Sequence, residues 1–269
     1  MMQHIDLSNL PEILKPLEQG IQSSLKSYLA IEAKPAAQLD LWQSKFGGLP
    51  YSPLDQPYPV DDEGSPLVLL AQFNFAELPT LENFPDQGIL QFYIAADDDL
   101  YGADFDQPFK QDSFRVVYFE EVIRDESQLL TDFGFLPQIP DRLTPITGQY
   151  ALHAVLKQAP VSLSDFSFSR WMLREPYSGD ENDQFYEIYN EQFGSTGHKL
   201  GGYPFFTQAD PREYDQDIQD YILLFQMDSD YSSDVDIMWG DVGVANFFIR
   251  PEDLKNRDFS KVLYNWDCS

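Results

Sequence analysis

The sequence predicts a mainly-β protein with a few helices, an α+β chain in which two sequence-related halves fold as one globular domain over residues 1–269. Three observations predict it. A set of residues recurs at a fixed offset, short runs of branched and aromatic residues lie between Gly, Pro and Asp, and an amphipathic helical pattern opens each half.

The repeat organises the rest. Lys45-Phe46-Gly47-Gly48-Leu49-Pro50 reappears as Lys199-Leu200-Gly201-Gly202-Tyr203-Pro204, and Pro57 is matched by Pro211 at the same offset of 154. Between 45–74 and 199–228 there are nine identities in 30 aligned pairs, where ordinary residue usage would give roughly two. After one inserted residue, Gly88 to Ile94 aligns with Gly243 to Ile249. The repeats are expected to span roughly 40–120 and 194–265.

The strand signals are Val68 to Phe73, Ile89 to Ile94, Val116 to Phe119, Ile222 to Met227, Val244 to Ile249 and Val262 to Tyr264, all rich in residues that suit a pleated, half-buried surface. Their apolar members, among them Leu69, Leu70, Phe92, Ile94, Leu223, Leu224, Phe247 and Ile249, are candidate core. Asn9 with Glu12 resembles a capping box, and Leu10, Ile13, Leu14, Leu17, Ile21, Leu25 and Tyr28 keep helical spacing, so an N-terminal helix is expected over about 10–32, with Pro16 as a kink. A second helix is expected after Asp180, with acids in its first turn and Phe185, Ile188, Tyr189 and Phe193 on one face. The segment Gly134–Pro176 carries five prolines, which argues against long regular elements, yet it is apolar enough to pack between the halves.

Charge narrows the function classes. Forty-five acids against 17 bases give a formal net charge of −28, which repels nucleic acid and anionic membrane surfaces and favours a basic protein partner. Aromatic content of 15% places these acids on a folded surface rather than a disordered tail. The one cysteine, Cys268, has no intrachain partner, and Met1 to Leu7 holds no basic region followed by an apolar run. A reducing, cytoplasmic setting is expected.

Chemistry-bearing motifs are sparse. The Gly-Gly-x-Pro turns lack the surroundings of a phosphate cradle. The histidines His4, His153 and His198 are too scattered for a transition-metal set. Asp228 to Asp236 places oxygen side chains at alternate positions, but Ser233 and Trp239 stand where a calcium loop needs glycine and a bidentate glutamate. No Gly-x-Ser-x-Gly elbow is present. No catalytic residue and no cofactor is assigned. The polar and aromatic groups that the second copy adds to the shared framework, His198, Arg212, Asp228, Asp230, Trp239 and Asp241, are the candidate binding residues; Trp239 and Asp241 are expected at a partly exposed patch or cleft with at least one of His198, Arg212 and Asp230.

Gly197-His198-Lys199-Leu200-Gly201-Gly202-Tyr203-Pro204, Thr207 to Arg212, Leu223 to Asp230 and Met238 to Ile249, together with Ser44 to Pro50, resemble the bacterial YwqG-like family. The resemblance implies a roll-like, mainly-β fold and a domain of unknown function, with no catalytic assignment to carry across. Gene neighbourhoods of some members imply immunity or antitoxin-like roles. The expected function is a non-catalytic interaction protein that neutralises a basic partner. The alternative is a small-molecule or ion-dependent enzyme with its site between the two halves.

Overall fold

A computed structural model describes residues 5–96, 99–137, 143–172, 179–232 and 234–269. Its frame is one ten-stranded sheet, β1 (Lys26–Pro35), β2 (Lys45–Gly47), β3 (Val68–Asn74), β4 (Ile89–Ile94), β5 (Phe114–Phe119), β6 (Gln149–Ala159), β7 (His198–Gly201), β8 (Ile222–Asp228), β9 (Val244–Ile249) and β10 (Leu263–Asp267). The spatial order is β10-β9-β8-β7-β1-β6-β2-β3-β4-β5, with antiparallel pairing throughout. The chain is thus mainly β, and the described residues hold four α-helices: α1 (Glu18–Ser23), α2 (Phe168–Trp171), α3 (Asp180–Phe193) and α4 (Pro251–Asn256).

The sheet curls into a half-barrel, and the sequence shows where it bends. The β3–β4 register shifts between Leu69 and Ala71, and the β8–β9 register between Leu223 and Phe225. At each place one extra residue, Leu70 or Leu224, is accommodated, which kinks a strand and increases its twist. Leu70 and Ala71 both join the main core, as do Leu224 and Phe225. The two ends of the sheet therefore face each other. Phe92 on β4 lies 4.9 Å from Phe225 and 4.8 Å from Phe247, and Phe114 on β5 lies 5.2 Å from Tyr264 on β10. Offset and edge-on aromatic pairs of this kind contribute about 0.5–1.5 kcal/mol each beyond area burial.

Strands β3, β4, β8 and β9 are buried almost throughout, because loops and helices cover the outer face as the core covers the inner one. That explains their nearly unbroken apolar runs, and all eight candidate core residues named above are buried. On the outer face, Leu10, Leu14, Leu17, Ile21, Phe168, Phe185, Tyr189, Phe193 and Tyr203 form a separate cluster that seats α1, α2 and α3. Helix α3 matches its predicted start and its predicted face, with Phe185, Tyr189 and Phe193 buried.

Two expectations need correction. The N-terminal helix does not run over 10–32: a 3-10 turn covers Glu12–Leu17, α1 ends at Ser23, and Lys26–Pro35 is strand. Asn9 is not its cap; Pro11 is, with no side-chain bond. Pro16 removes a backbone donor, Ser24 Oγ turns back to the Ile21 carbonyl, and the chain beyond is captured by β6 on one side and β7 on the other. The proline-rich segment also holds a long element. Strand β6 lies in its proline-free interval between Pro145 and Pro160 and pairs from Tyr150 to Ala159 with β1 at the centre of the sheet.

Candidate functional site

The second end of the sheet positions His198. It begins β7 on the inner face, buried, with its ring 5.0 Å from that of Phe46. Its Nδ1 accepts the Asp228 backbone N–H at 3.1 Å, which leaves the proton of the neutral ring on Nε2. That nitrogen lies 3.7 Å from the Asp230 carboxylate, too far for a full hydrogen bond. Interaction with the imidazole holds the Asp230 carboxyl below its usual range. Asp228 is buried, its carboxylate accepting N–H groups from Gly197 at 2.6 Å and Ser229 at 2.9 Å, while burial raises its pKa. Asp230 and Ile237 exchange backbone hydrogen bonds that close the loop between them. Ser233, part of the calcium-loop comparison, lies outside the described residues. Asp228 and Asp230 are engaged by backbone and imidazole, and among the described residues no three His, Cys, Asp or Glu side chains converge as a metal set would.

Three of the six candidates, His198, Asp228 and Asp230, are therefore together. The other three separate. Trp239 is not at the surface: its side chain is fully buried, edge-on to Tyr101 at 5.5 Å and 6.1 Å from Trp266. An indole of this size gains more from that aromatic pocket than from water. Asp241 is exposed on the turn that follows. Arg212 is buried on the outer face, where Phe248 belongs to a cluster distinct from the main core that contains Phe247 and Trp239. A site joining Arg212 to His198 would have to pass through the sheet.

What opens to solvent near the His198 group is a cleft of about 630 Å³, lined by Tyr101, Thr144, Thr147, Tyr231, Asp236 and Met238 among others. Trp239 itself is behind its wall, while its neighbours Met238 and Gly240 face in. A second cleft of about 510 Å³ is lined by Asp99, Leu100, Phe105 and Trp266. These residues come from separate loops, and only the aromatic and acidic residue types could have marked them in the sequence.

The two ends of the sheet share a buried polar framework. Gln72 accepts the Tyr51 N–H and donates to the Leu41 and Gln43 carbonyls. At the same offset of 154, Gln226 accepts from Phe205 and donates to Ser195 and Gly197. Ser44 Oγ accepts the Asn74 N–H just as His198 Nδ1 accepts that of Asp228. Gly47, Gly48, Gly201 and Gly202 all have φ between 62° and 76°, the left-handed conformation that glycine adopts at little cost.

Each framework also buries a lysine. Lys45 Nζ donates to the Asp40 and Leu49 carbonyls, and Lys199 Nζ to those of Ser195 and Tyr203. Burial pulls the Lys45 pKa down to about 8 and the Lys199 pKa down to about 7. Between pH 7 and 10 the unfolded chain then holds a proton at residue 199 that the folded chain releases, so stability rises with pH from this group. The expected result is that the urea midpoint of wild type gains on that of Lys199→Met between pH 6.5 and pH 9. A constant difference between the two proteins would show that the lysine stays charged in the fold.

The structure is a mainly-β half-barrel with matched buried polar groups at its two ends and two neighbouring clefts lined in part by aromatic and acidic residues. Residues 44–268 match the family model Domain of unknown function (DUF1963), and the chain belongs to that family. No curated protein matches it at a significant level.

Proposed function

We propose that the protein is a non-catalytic binding protein whose acidic surface takes up a basic protein partner, in the manner of an immunity or antitoxin component. The observation that carries this reading is the imbalance of surface charge. Of the 17 basic residues, Lys45, Lys199 and Arg212 are buried, and the ion pairs among the described residues engage only Glu12, Glu32, Asp112, Asp165, Asp210, Asp220 and Asp230. Such a surface accelerates encounter with a cationic partner and rejects anionic ones. No described helix is long and apolar enough to cross a membrane.

The scaffold reading that accompanies it is an internal duplication of roughly 40–120 and 194–265 within a YwqG-like, roll-like fold, supported by the matched glutamines, lysines and glycine pairs. The first copy then serves as framework and the second carries the added groups.

The test is affinity capture from a lysate of the source organism at 150 mM salt, roughly the physiological ionic strength that screens weak surface attraction. One basic protein retained in stoichiometric amount, and released by raised salt, is the expected result. Retention of neutral or acidic proteins, or of none, would overturn the reading.

A further inference from the structure

The two clefts adjoin. Tyr101 and Gly240 line the larger, Leu100, Trp266 and Cys268 the smaller. Tyr101 and Gly240 on one side meet Trp266 and Cys268 on the other. The Tyr101 and Trp266 rings are 5.1 Å apart, and a Cβ built on Gly240 would come within 2.8 Å of Cys268 Sγ and 3.0 Å of the Trp266 ring. An extended chain laid across this boundary would reach both clefts, which together would serve it as one trough.

Its chemistry is specific. Tyr231 is 76% exposed and Phe105 54% exposed, with Leu100 also open to solvent. Large aromatic surface left in water beside a concavity marks interaction sites more often than scattered exposure does. Asp236 and Asp99 line the two clefts, and Asp241 stands on the turn beside Gly240. None of these three carboxylates is in an ion pair among the described residues, and no described Lys or Arg lines either cleft. Behind Tyr101, the indole Nε1 of Trp239 is buried with no hydrogen-bond partner among the described residues.

Aromatic faces next to unpaired carboxylates bind guanidinium and ammonium groups, the ring quadrupole attracting the cation while the carboxylate fixes it by charge-assisted hydrogen bonds. We infer that this trough seats an extended basic segment of the partner, with an arginine side chain among Tyr101, Tyr231 and Asp236 and an adjoining apolar side chain against Phe105 and Trp266. The inference rests on the basic-partner reading and gives it an address. The combination of an aromatic anchor with a desolvated charge is also what concentrates binding energy in a few residues.

The experiment uses a fluorescein-labelled acetyl-Arg-Leu-Arg-Leu-Arg peptide, with acetyl-Glu-Leu-Glu-Leu-Glu as control, followed by anisotropy at 150 mM salt, where exposed charges are well screened. Tyr231→Ala/Asp236→Asn is expected to weaken binding of the arginine peptide by about tenfold or more, the loss of one anchor contact at a hot spot. Asp99→Asn/Phe105→Ala, at the other cleft, should do the same and serves if the first pair disturbs folding. Glu213→Gln/Asp217→Asn removes more charge than either trough pair, at exposed positions that line neither cleft, and should change affinity by about twofold or less, as screened surface charges do. Equal weakening by all three pairs would overturn the trough while leaving the basic-partner reading standing on its capture experiment. No binding of the arginine peptide to wild type would also overturn the trough. A captured basic protein that the trough variants still retain would separate the two failures.

Discussion

Arg212→Met is expected to lose about 3–5 kcal/mol of folding stability, the cost of removing one member of a buried ion network. The guanidinium donates from Nε to Asp210 Oδ1 at 2.9 Å, from Nη2 to Asp210 Oδ2 at 2.6 Å and to Asp165 Oδ2 at 2.9 Å, and from Nη1 to the Tyr221 carbonyl at 2.9 Å. It lies 4.9 Å from the Phe166 ring and 4.6 Å from the Phe248 ring. Without it, two buried carboxylates face each other with no cation between them. Arg212→Lys should recover only part of the loss, because a point charge cannot span both carboxylates and the carbonyl as the planar fork does. Urea midpoints at constant slope measure both, and a loss under about 1 kcal/mol for the methionine variant would show that the network is dispensable. Arg212 thus ties the outer-face loop around Asp165 to the one around Asp210, and its conspicuous chemistry is spent inside the fold.

The second expected result concerns the matched glutamines. Gln226→Ala leaves the Phe205 N–H and the Gly197 carbonyl without their partner and the Ser195 carbonyl with Lys199 Nζ alone, and Gln72→Ala strips the Tyr51 N–H and the Leu41 and Gln43 carbonyls of theirs. A buried backbone group stripped of its hydrogen bond costs about 1–3 kcal/mol, so each variant should lose about 3 kcal/mol or more, and the two losses should agree within about 1 kcal/mol. Gln91 adds one bond at the first end, its Nε2 donating to Gln72 Oε1 at 2.7 Å. At the second end Asn246 is one methylene shorter and reaches only the Phe205 carbonyl, at 2.8 Å. Gln72→Ala should therefore be the slightly worse of the pair. Thermal and urea unfolding of both variants check the match, and a difference above about 2 kcal/mol would show that the two ends are not energetically equivalent.

The strands that sequence reading found share a cause, as do those it missed. Ile89–Ile94 and Val244–Ile249 are apolar on both faces and flanked by turn residues, so local propensity and burial agree. Lys26–Pro35 reads Lys-Ser-Tyr-Leu-Ala-Ile-Glu-Ala-Lys-Pro, rich in good helix formers, and continues the helical spacing that precedes it. Only hydrogen bonding to strands on both sides makes it extended, and that information lies far away in the chain. Gln149–Ala159 is its partner and fails to announce itself for the same reason. Strands β2 and β7 are three and four residues long and end in glycine, too short for periodicity to show. At the site, His198 with Asp228 and Asp230 was legible because one motif-dense stretch holds them all. The Arg212–Asp165 pair was not, since 47 residues separate the partners. Trp239 was misplaced at the surface because composition reports that a tryptophan is present and says nothing of whether Tyr101 and Trp266 will enclose it.

The strand order has a consequence for how the chain reaches this fold. Strands β2 to β5, and again β7 to β10, are sheet neighbours in the order in which they are synthesised, apart from the β6 strip that joins the first set to the centre. Each meander can assemble from contacts that are close in sequence, which favours fast formation. Strand β1 has no such local partner. Lys26 waits for Ala159 and Ile31 for His198, residues made long after it. Until then its Leu29 and Ile31 stay uncovered and both its edges stay unpaired, the state in which strands recruit foreign chains. Closure of the central seam therefore joins the residues farthest apart in sequence and is the step expected to set the pace of folding, with Lys26, Glu32 and Lys34 placing charges along the open strand.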